Sequence, residues 1–77
     1  MTATIRIKLF ATLKAHEPEN AAAYPIAPAT TVSELVERLA VPGDMVKLIF
    51  VNSRRAALDT PLKDGDKVGI FPPVGGG

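Results

Sequence analysis

With no cysteine and one histidine among 77 residues, this sequence has few side chains able to do covalent chemistry. His16 has no second histidine, thiol or carboxylate pair at ligand spacing, so neither a metal site nor a nucleophilic triad can be assembled around it. It reads, with Lys14, as a surface residue. Asp64 and Asp66 flank Gly65, but two carboxylates are too few for a calcium loop and serve a turn instead. No metal and no bound cofactor are expected. What remains is the main-chain acid at the end of Pro72-Pro73-Val74-Gly75-Gly76-Gly77. A glycine carboxylate is unhindered at its α-carbon, so a nucleotide phosphate can approach it, and the resulting acyl adenylate can be attacked by a sulfur nucleophile.

Such an acid has to be carried on an arm. Pro72-Pro73 fixes two φ angles, removes two donors and stops the preceding strand, so residues 72–77 leave as an extended segment reaching roughly 20 Å. Glycines at 75, 76 and 77 supply backbone without side chains, able to thread a narrow channel. Glycine-rich ends are in general frayed termini. A rigid Pro-Pro directly after a strand weakens that alternative here.

The arm in turn needs a base, expected over residues 1–71. Thr4 to Phe10 alternates, with Ile5, Ile7 and Leu9 on one face and Arg6, Lys8 and Phe10 on the other, the period of a half-buried strand. Glu17 to Asn20 signals a turn, and Ala22 to Ala27 reads as a second strand, with Ala21 to Ala23 its loosely packed start. Pro25 confines that strand to a sheet edge. Thr31-Val32-Ser33-Glu34 has the form of a capping box, and Val32, Leu35, Val36 and Leu39 form one apolar helical stripe, ended by Pro42-Gly43. Lys47 to Val51 reads as a third strand apolar on both faces, with Met45 and Leu48 in the core. Asn52 to Arg55 is read as a turn, Ala56 to Leu58 as a short fourth strand, Asp64-Gly65-Asp66 as a tight turn and Lys67 to Phe71 as the last strand. One helix covering one face of a mixed sheet of about five strands is an α+β arrangement, the β-grasp pattern, in which the first and last strands pair centrally. Phe10 and Phe71 then share the face that the helix leaves open. An exposed apolar patch of that kind marks a docking surface. Ile49 or Val51 could extend it. The alternative, rings that only cover each other or close the core, stays open for Ile49, whereas Phe71 adjoins the arm and is read as docking.

The chain as a whole resembles the ubiquitin-like sulfur-carrier family, and Asp64-Gly65-Asp66-Lys67-Val68-Gly69-Ile70-Phe71-Pro72-Pro73-Val74-Gly75-Gly76-Gly77 closely resembles the C-terminal signature of small subunits of molybdopterin synthase. Related thiamine sulfur carriers share the fold and the Gly-Gly end but usually lack the Phe-Pro-Pro-Val run. The resemblance implies a non-catalytic carrier. An ATP- and magnesium-dependent, ubiquitin-activating-like enzyme would adenylate Gly77, a sulfur donor protein would convert the adenylate to a thiocarboxylate, and the large synthase subunit would take the sulfur into a pterin. Gly76 would be the slim neighbour entering the partner's active site. Phe10, Phe71, Pro72, Pro73, Val74 and Gly75 would contact partners, with Gly75 at a position where the family varies. A chain without thiols could carry activated sulfur only at its terminus. A carrier for thiamine, tRNA thiolation or another pathway, a protein modifier joined to lysines, and a plain interaction module remain as alternatives.

Composition agrees with a small globular domain. Apolar residues make up 47% and charged residues 22%, and the net charge of +1 gives no long-range reason to expect nucleic acid or an anionic membrane as partner. Arg54, Arg55, Lys63 and Lys67 could meet an acidic rim on a partner, although single turn charges contribute little. The N-terminal residues lack a signal-peptide core and no apolar run approaches the roughly 20 residues of a membrane span, so a cytoplasmic protein is expected.

Overall fold

Alternation in β1 (Ala3–Leu9) buries Ile5, Ile7 and Leu9 and leaves Arg6 and Lys8 exposed, so one strand separates a core face from an outer face. The computed structural model describes residues 3–73. After β1 come a 3-10 segment (Ala11–His16), a second one (Ala21–Ala23), β2 (Tyr24–Ile26), α1 (Val32–Arg38), a short 3-10 turn (Gly43–Met45), β3 (Leu48–Val51), β4 (Arg54–Arg55) and β5 (Lys67–Phe71). The strands form one sheet in the order β2-β1-β5-β3-β4. β1 and β5 run parallel, and the other pairs are antiparallel. This is the expected β-grasp topology: a mixed sheet of five strands with one helix. Pro25 sits on edge strand β2 opposite Thr4, where a missing N–H is harmless.

The helix forms where the capping residues and the apolar stripe coincide. Thr31 Oγ1 accepts the Glu34 N–H at 3.2 Å while Glu34 Oε1 accepts the Thr31 N–H at 3.0 Å, which is the expected capping box. Val32, Leu35, Val36 and Leu39 are buried against Ile5, Ile7, Leu9, Ile49, Val68 and Ile70 of the sheet. Leu13, from the first 3-10 segment, and Val41 and Leu62, from irregular segments, join this core. No helix among the described residues is long and apolar enough to cross a membrane.

The helix ends earlier than Pro42-Gly43, at Arg38, and by a different device. The Ala40 N–H donates to Glu37 O at 3.0 Å and the Val41 N–H to Val36 O at 3.2 Å, with Ala40 in the left-handed region at φ 59°. That pairing is a Schellman motif whose C′ residue is alanine where glycine is usual. A Cβ in that conformation costs about 1 kcal/mol. Ala40→Gly is therefore expected to raise stability by about 1 kcal/mol, seen as a rise of a few degrees in thermal midpoint; an unchanged or lowered midpoint would contradict the strain.

Three further segments differ from the sequence expectation. The second strand covers Tyr24–Ile26 only, because Ala21–Ala23 take up a 3-10 turn. The fourth strand is Arg54–Arg55 and not Ala56 to Leu58, since Asn52 and Ser53 both adopt positive φ (54° and 69°) and form a two-residue hairpin loop that brings Arg54 back opposite Val51. Leu48 is half-buried on the outer face instead of in the core, while Met45 packs against the core from its edge.

The Asp64-Gly65-Asp66 turn does more than reverse the chain. Asp66 accepts from Asn52 Nδ2 and from the Lys63 N–H, each at 2.8 Å, and Asn52 Oδ1 accepts the Lys67 N–H at 3.0 Å. Asp64 accepts the Thr4 N–H at 2.9 Å and the Gly65 N–H donates to Thr4 O at 2.7 Å, with Gly65 at φ 85°. The start of β5 is thereby tied to both β1 and the β3-β4 loop, which sets the register of the strand that leads into the arm.

Candidate functional site

Register decides what the open face of the sheet presents. Leu9 pairs with Ile70 and Lys8 with Gly69, so Phe10 follows on beside Phe71. Phe10 lies one residue past β1 but stays extended, and its N–H donates to Ile70 O at 3.3 Å. The two rings stack at 4.1 Å between centroids and 4° between planes. Both stay half-buried, so they shield each other and still present an apolar surface.

On the other side of β5, Leu48 pairs with Phe71 and Phe50 with Gly69. Phe50 meets Phe71 edge-on at 5.6 Å between centroids. All three phenylalanines of the chain therefore lie on the face away from α1. This corrects the expectation for the third strand: Ile49 is buried in the core and Val51 packs against it, so neither extends the patch, and Leu48 and Phe50 do. The residues Lys47 to Val51 are apolar at both parities from Leu48 onward, so alternation carried no signal for which set faces outward.

Between Lys8 and Phe50 the sheet is bare backbone at Gly69. The resulting cleft, about 440 Å³, is lined by Lys8, Phe10, Phe50, Ser53, Lys67, Val68, Gly69 and Phe71. Apolar character is concentrated where β5 leaves the sheet, and cationic character, from Arg6 and Lys67, at its opposite end. The basic residues expected near one another are divided. Arg54, Arg55 and Lys63 line a separate cleft along β4, while Lys67 joins Lys8 on the aromatic face. Aromatic rings, bare backbone and cations are binding groups suited to a partner's surface.

The arm starts at the edge of this face. Phe71 O accepts the Lys47 N–H at 2.8 Å, after which Pro72 is half-buried and Pro73 exposed. A residue without an N–H cannot continue the ladder. The other candidate residues, Val74, Gly75, Gly76 and Gly77, lie outside the described residues.

The ThiS family model matches residues 7–77. Among solved structures, the chain is 28% identical to a putative molybdopterin converting factor subunit 1 from Pyrococcus furiosus, with a TM-score of 0.65 over 94% of this chain and 99% of that one. It is likewise 28% identical to one chain in the structure of the protein-protein complex of subunit 1 and 2 of molybdopterin-converting factor from Helicobacter pylori, with a TM-score of 0.55 over 100% of each chain. Small archaeal modifier protein 1 from Haloferax volcanii is 26% identical, with a TM-score of 0.66 over 94% of this chain and 99% of that one. No curated protein gives a significant match.

Proposed function

The chain belongs to the ThiS family of ubiquitin-like proteins, and from that membership we propose that it carries sulfur on its C-terminus for molybdopterin synthesis, as the small subunit of the synthase. In this reading the Gly77 carboxylate attacks the α-phosphorus of ATP, held with magnesium by an adenylating enzyme, and pyrophosphate leaves. Hydrosulfide released by a donor protein then adds to the acyl carbon and expels AMP, leaving the thiocarboxylate. The large subunit would accept the sulfur from there. The domain contributes no catalytic group. Phe10, Phe71 and Pro72 would seat the enzyme's surface while Pro73 to Gly76 deliver the acid to its active site.

The observation that carries this reading is the placement of the arm. β5 runs from the Asp66 clasp at one end of the sheet to an uncovered aromatic face at the other, and it passes there directly into Pro72-Pro73. A partner resting on the rings would find the start of the arm beside them. Similarity to the Pyrococcus furiosus and Helicobacter pylori proteins supports the molybdopterin assignment over thiamine or tRNA thiolation.

Intact-mass measurement after incubation with the adenylating enzyme, Mg-ATP and a sulfur source tests it. One sulfur should replace one oxygen at the terminus, and an unchanged mass would count against the carrier reading. Similarity to small archaeal modifier protein 1 favours a second reading, a modifier joined to lysine side chains. That reading shares the activation step and differs in the acceptor, so denaturant-stable lysine adducts without transfer to a pterin would select it.

A further inference from the structure

β4 ends the sheet, so one side of Arg54–Arg55 has no neighbouring strand. The Ala56 N–H donates to Ile49 O at 2.9 Å, and successive residues of an extended strand turn their backbone groups to opposite sides. The Arg55 N–H and C=O therefore point away from β3 along the free edge, and no turn or loop bond among the described residues takes them up. Unpaired edge groups of this kind are a template for another strand.

Beside that edge lies a cleft of about 430 Å³, between the β3-β4 hairpin and the chain from Ala57 to Asp66. Val51 and Ala56, which pack against the core, line it, and the exposed Arg54 and Lys63 stand beside them. Arg54 is opposite Val51 and shares its face, the α1 side, whereas Arg55 is opposite Phe50 on the aromatic side. The edge thus carries a cation on each face. One carboxylate lines the cleft, that of Asp66, and both its oxygens already accept, from Asn52 Nδ2 and from the Lys63 N–H. Past β4 the chain turns at Ala57–Thr60, where the Thr60 N–H donates to Ala57 O and the Ala57 N–H to Thr60 Oγ1, each at 3.1 Å. Both ends of that turn line the cleft. At its tip Leu58 is 49% exposed, the one exposed large hydrophobic residue among the described ones, and Asp59 beside it does not line the cleft.

We propose that this edge binds an extended acidic segment of a partner protein, which joins the sheet as a strand beside β4. Arg55 offers its N–H and C=O to the backbone of the segment, Arg54 and Lys63 pair with its carboxylates, and Leu58 meets an apolar side chain at one end. Backbone bonds supply affinity in such an arrangement, and side chains select the sequence. A second copy is disfavoured here, because antiparallel pairing of β4 with β4 through Arg55 sets Arg55 opposite Arg55. An acidic strand meets no such penalty. The site is separate from the aromatic face and does not depend on what the arm carries. Asp66 borders the cleft just before β5, and Phe71 ends that strand five residues on, roughly 16 Å away at about 3.3 Å per residue. A segment bound here leaves the arm free to enter an enzyme.

The probe is a short blocked peptide alternating glutamate and valine, titrated into the isotopically labelled full chain and followed by amide resonances, with a thermal melt of each variant. Signals of Arg54 to Leu58 and of Lys63 should move, with half-saturation at about 1 mM or below, while those of Phe10 and Phe71 stay in place. N-methylation of the peptide amides removes its donors and should weaken binding about tenfold or more. Arg54→Glu/Lys63→Glu should do the same at about 0.05 M salt and much less at about 0.5 M. Lys8→Glu/Lys14→Glu makes the same change of charge elsewhere and should bind like the unaltered chain. Absence of shifts at β4 up to about 10 mM peptide overturns the proposal. So does equal binding of the N-methylated peptide, which is charge attraction without strand addition, or equal binding by folded Arg54→Glu/Lys63→Glu. Tighter binding of a short oligonucleotide, or shifts at β4 that grow with protein concentration alone and so mark a second copy, overturn it as well. None of these results touches the carrier reading, whose own test is the mass of the terminus.

Discussion

Removal of Gly77 is expected to lower thiocarboxylate formation by at least about a hundredfold while leaving the melting temperature unchanged. The shortened chain still ends in two glycines, Gly75-Gly76, so the chemistry of an unhindered acid is preserved and only reach is lost. One residue is about 3.5 Å of extended chain. A displacement of about 1 Å at a reacting centre can cost about a hundredfold. Pro72 and Pro73 cannot stretch to recover the distance, because their φ angles are fixed. Among the described residues the core lies within residues 5–70, and the deletion leaves all of it in place. Single-turnover formation of the thiocarboxylate, followed by mass, with a melt of the same sample, separates the two effects. Turnover equal to that of the full chain would show that reach along the arm is not what presents the acid.

Ile70→Ala is expected to have the opposite profile, with a loss of about 3–4 kcal/mol. Ile70 is fully buried in β5, paired with Leu9 on one side and Ile49 on the other, beneath the apolar stripe of α1. Large-to-small changes at such positions cost about 2–5 kcal/mol, with the surrounding structure only partly closing the void. At roughly 0.05–0.15 kcal/mol per residue, the total stability of a 77-residue domain is about 4–12 kcal/mol, so the loss removes from about a quarter to all of it. Urea unfolding followed by far-UV circular dichroism gives the value. A loss under about 1 kcal/mol would contradict the central position of β5. Because Phe71 and Pro72 follow Ile70 directly, docking should fail in proportion to the unfolded fraction.

Much of the architecture is legible because local and global signals agree. Ile5, Ile7 and Leu9 alternate strictly with polar residues, so β1 has one possible inward face. Thr31 and Glu34 announce the helix start, and Val32, Leu35, Val36 and Leu39 leave one stripe to bury. Pro25 assigns its strand to an edge. The stacking of Phe10 on Phe71 follows from the strand periods together with the parallel pairing that the β-grasp topology requires.

Other features have no local signature. Ala40 in the left-handed region is strained locally and is held there by the burial of Val41, so a propensity argument passes over it for Gly43. The hairpin at Asn52-Ser53 depends on two successive positive φ values, which a sequence without Asn-Gly or Asp-Gly at that point does not advertise. Leu13 is buried from a short 3-10 segment and Leu62 from an irregular one, each too short to show a period.

The sequence by itself determined the Pro72-Pro73 stop after the last strand, the helix with its cap and the two-faced character of β1, because each is written in residues close together in the chain. Tertiary structure alone decided that Phe50 and Leu48 face outward while Ile49 faces the core, that Gly69 opens a notch among the rings, and that Lys67 parts from Arg54, Arg55 and Lys63. Those outcomes depend on the register of β3 and β5. That register is set by long-range pairing and by the clasp of Asp66 on Asn52 and Lys63, and a one-residue slip would exchange the two faces.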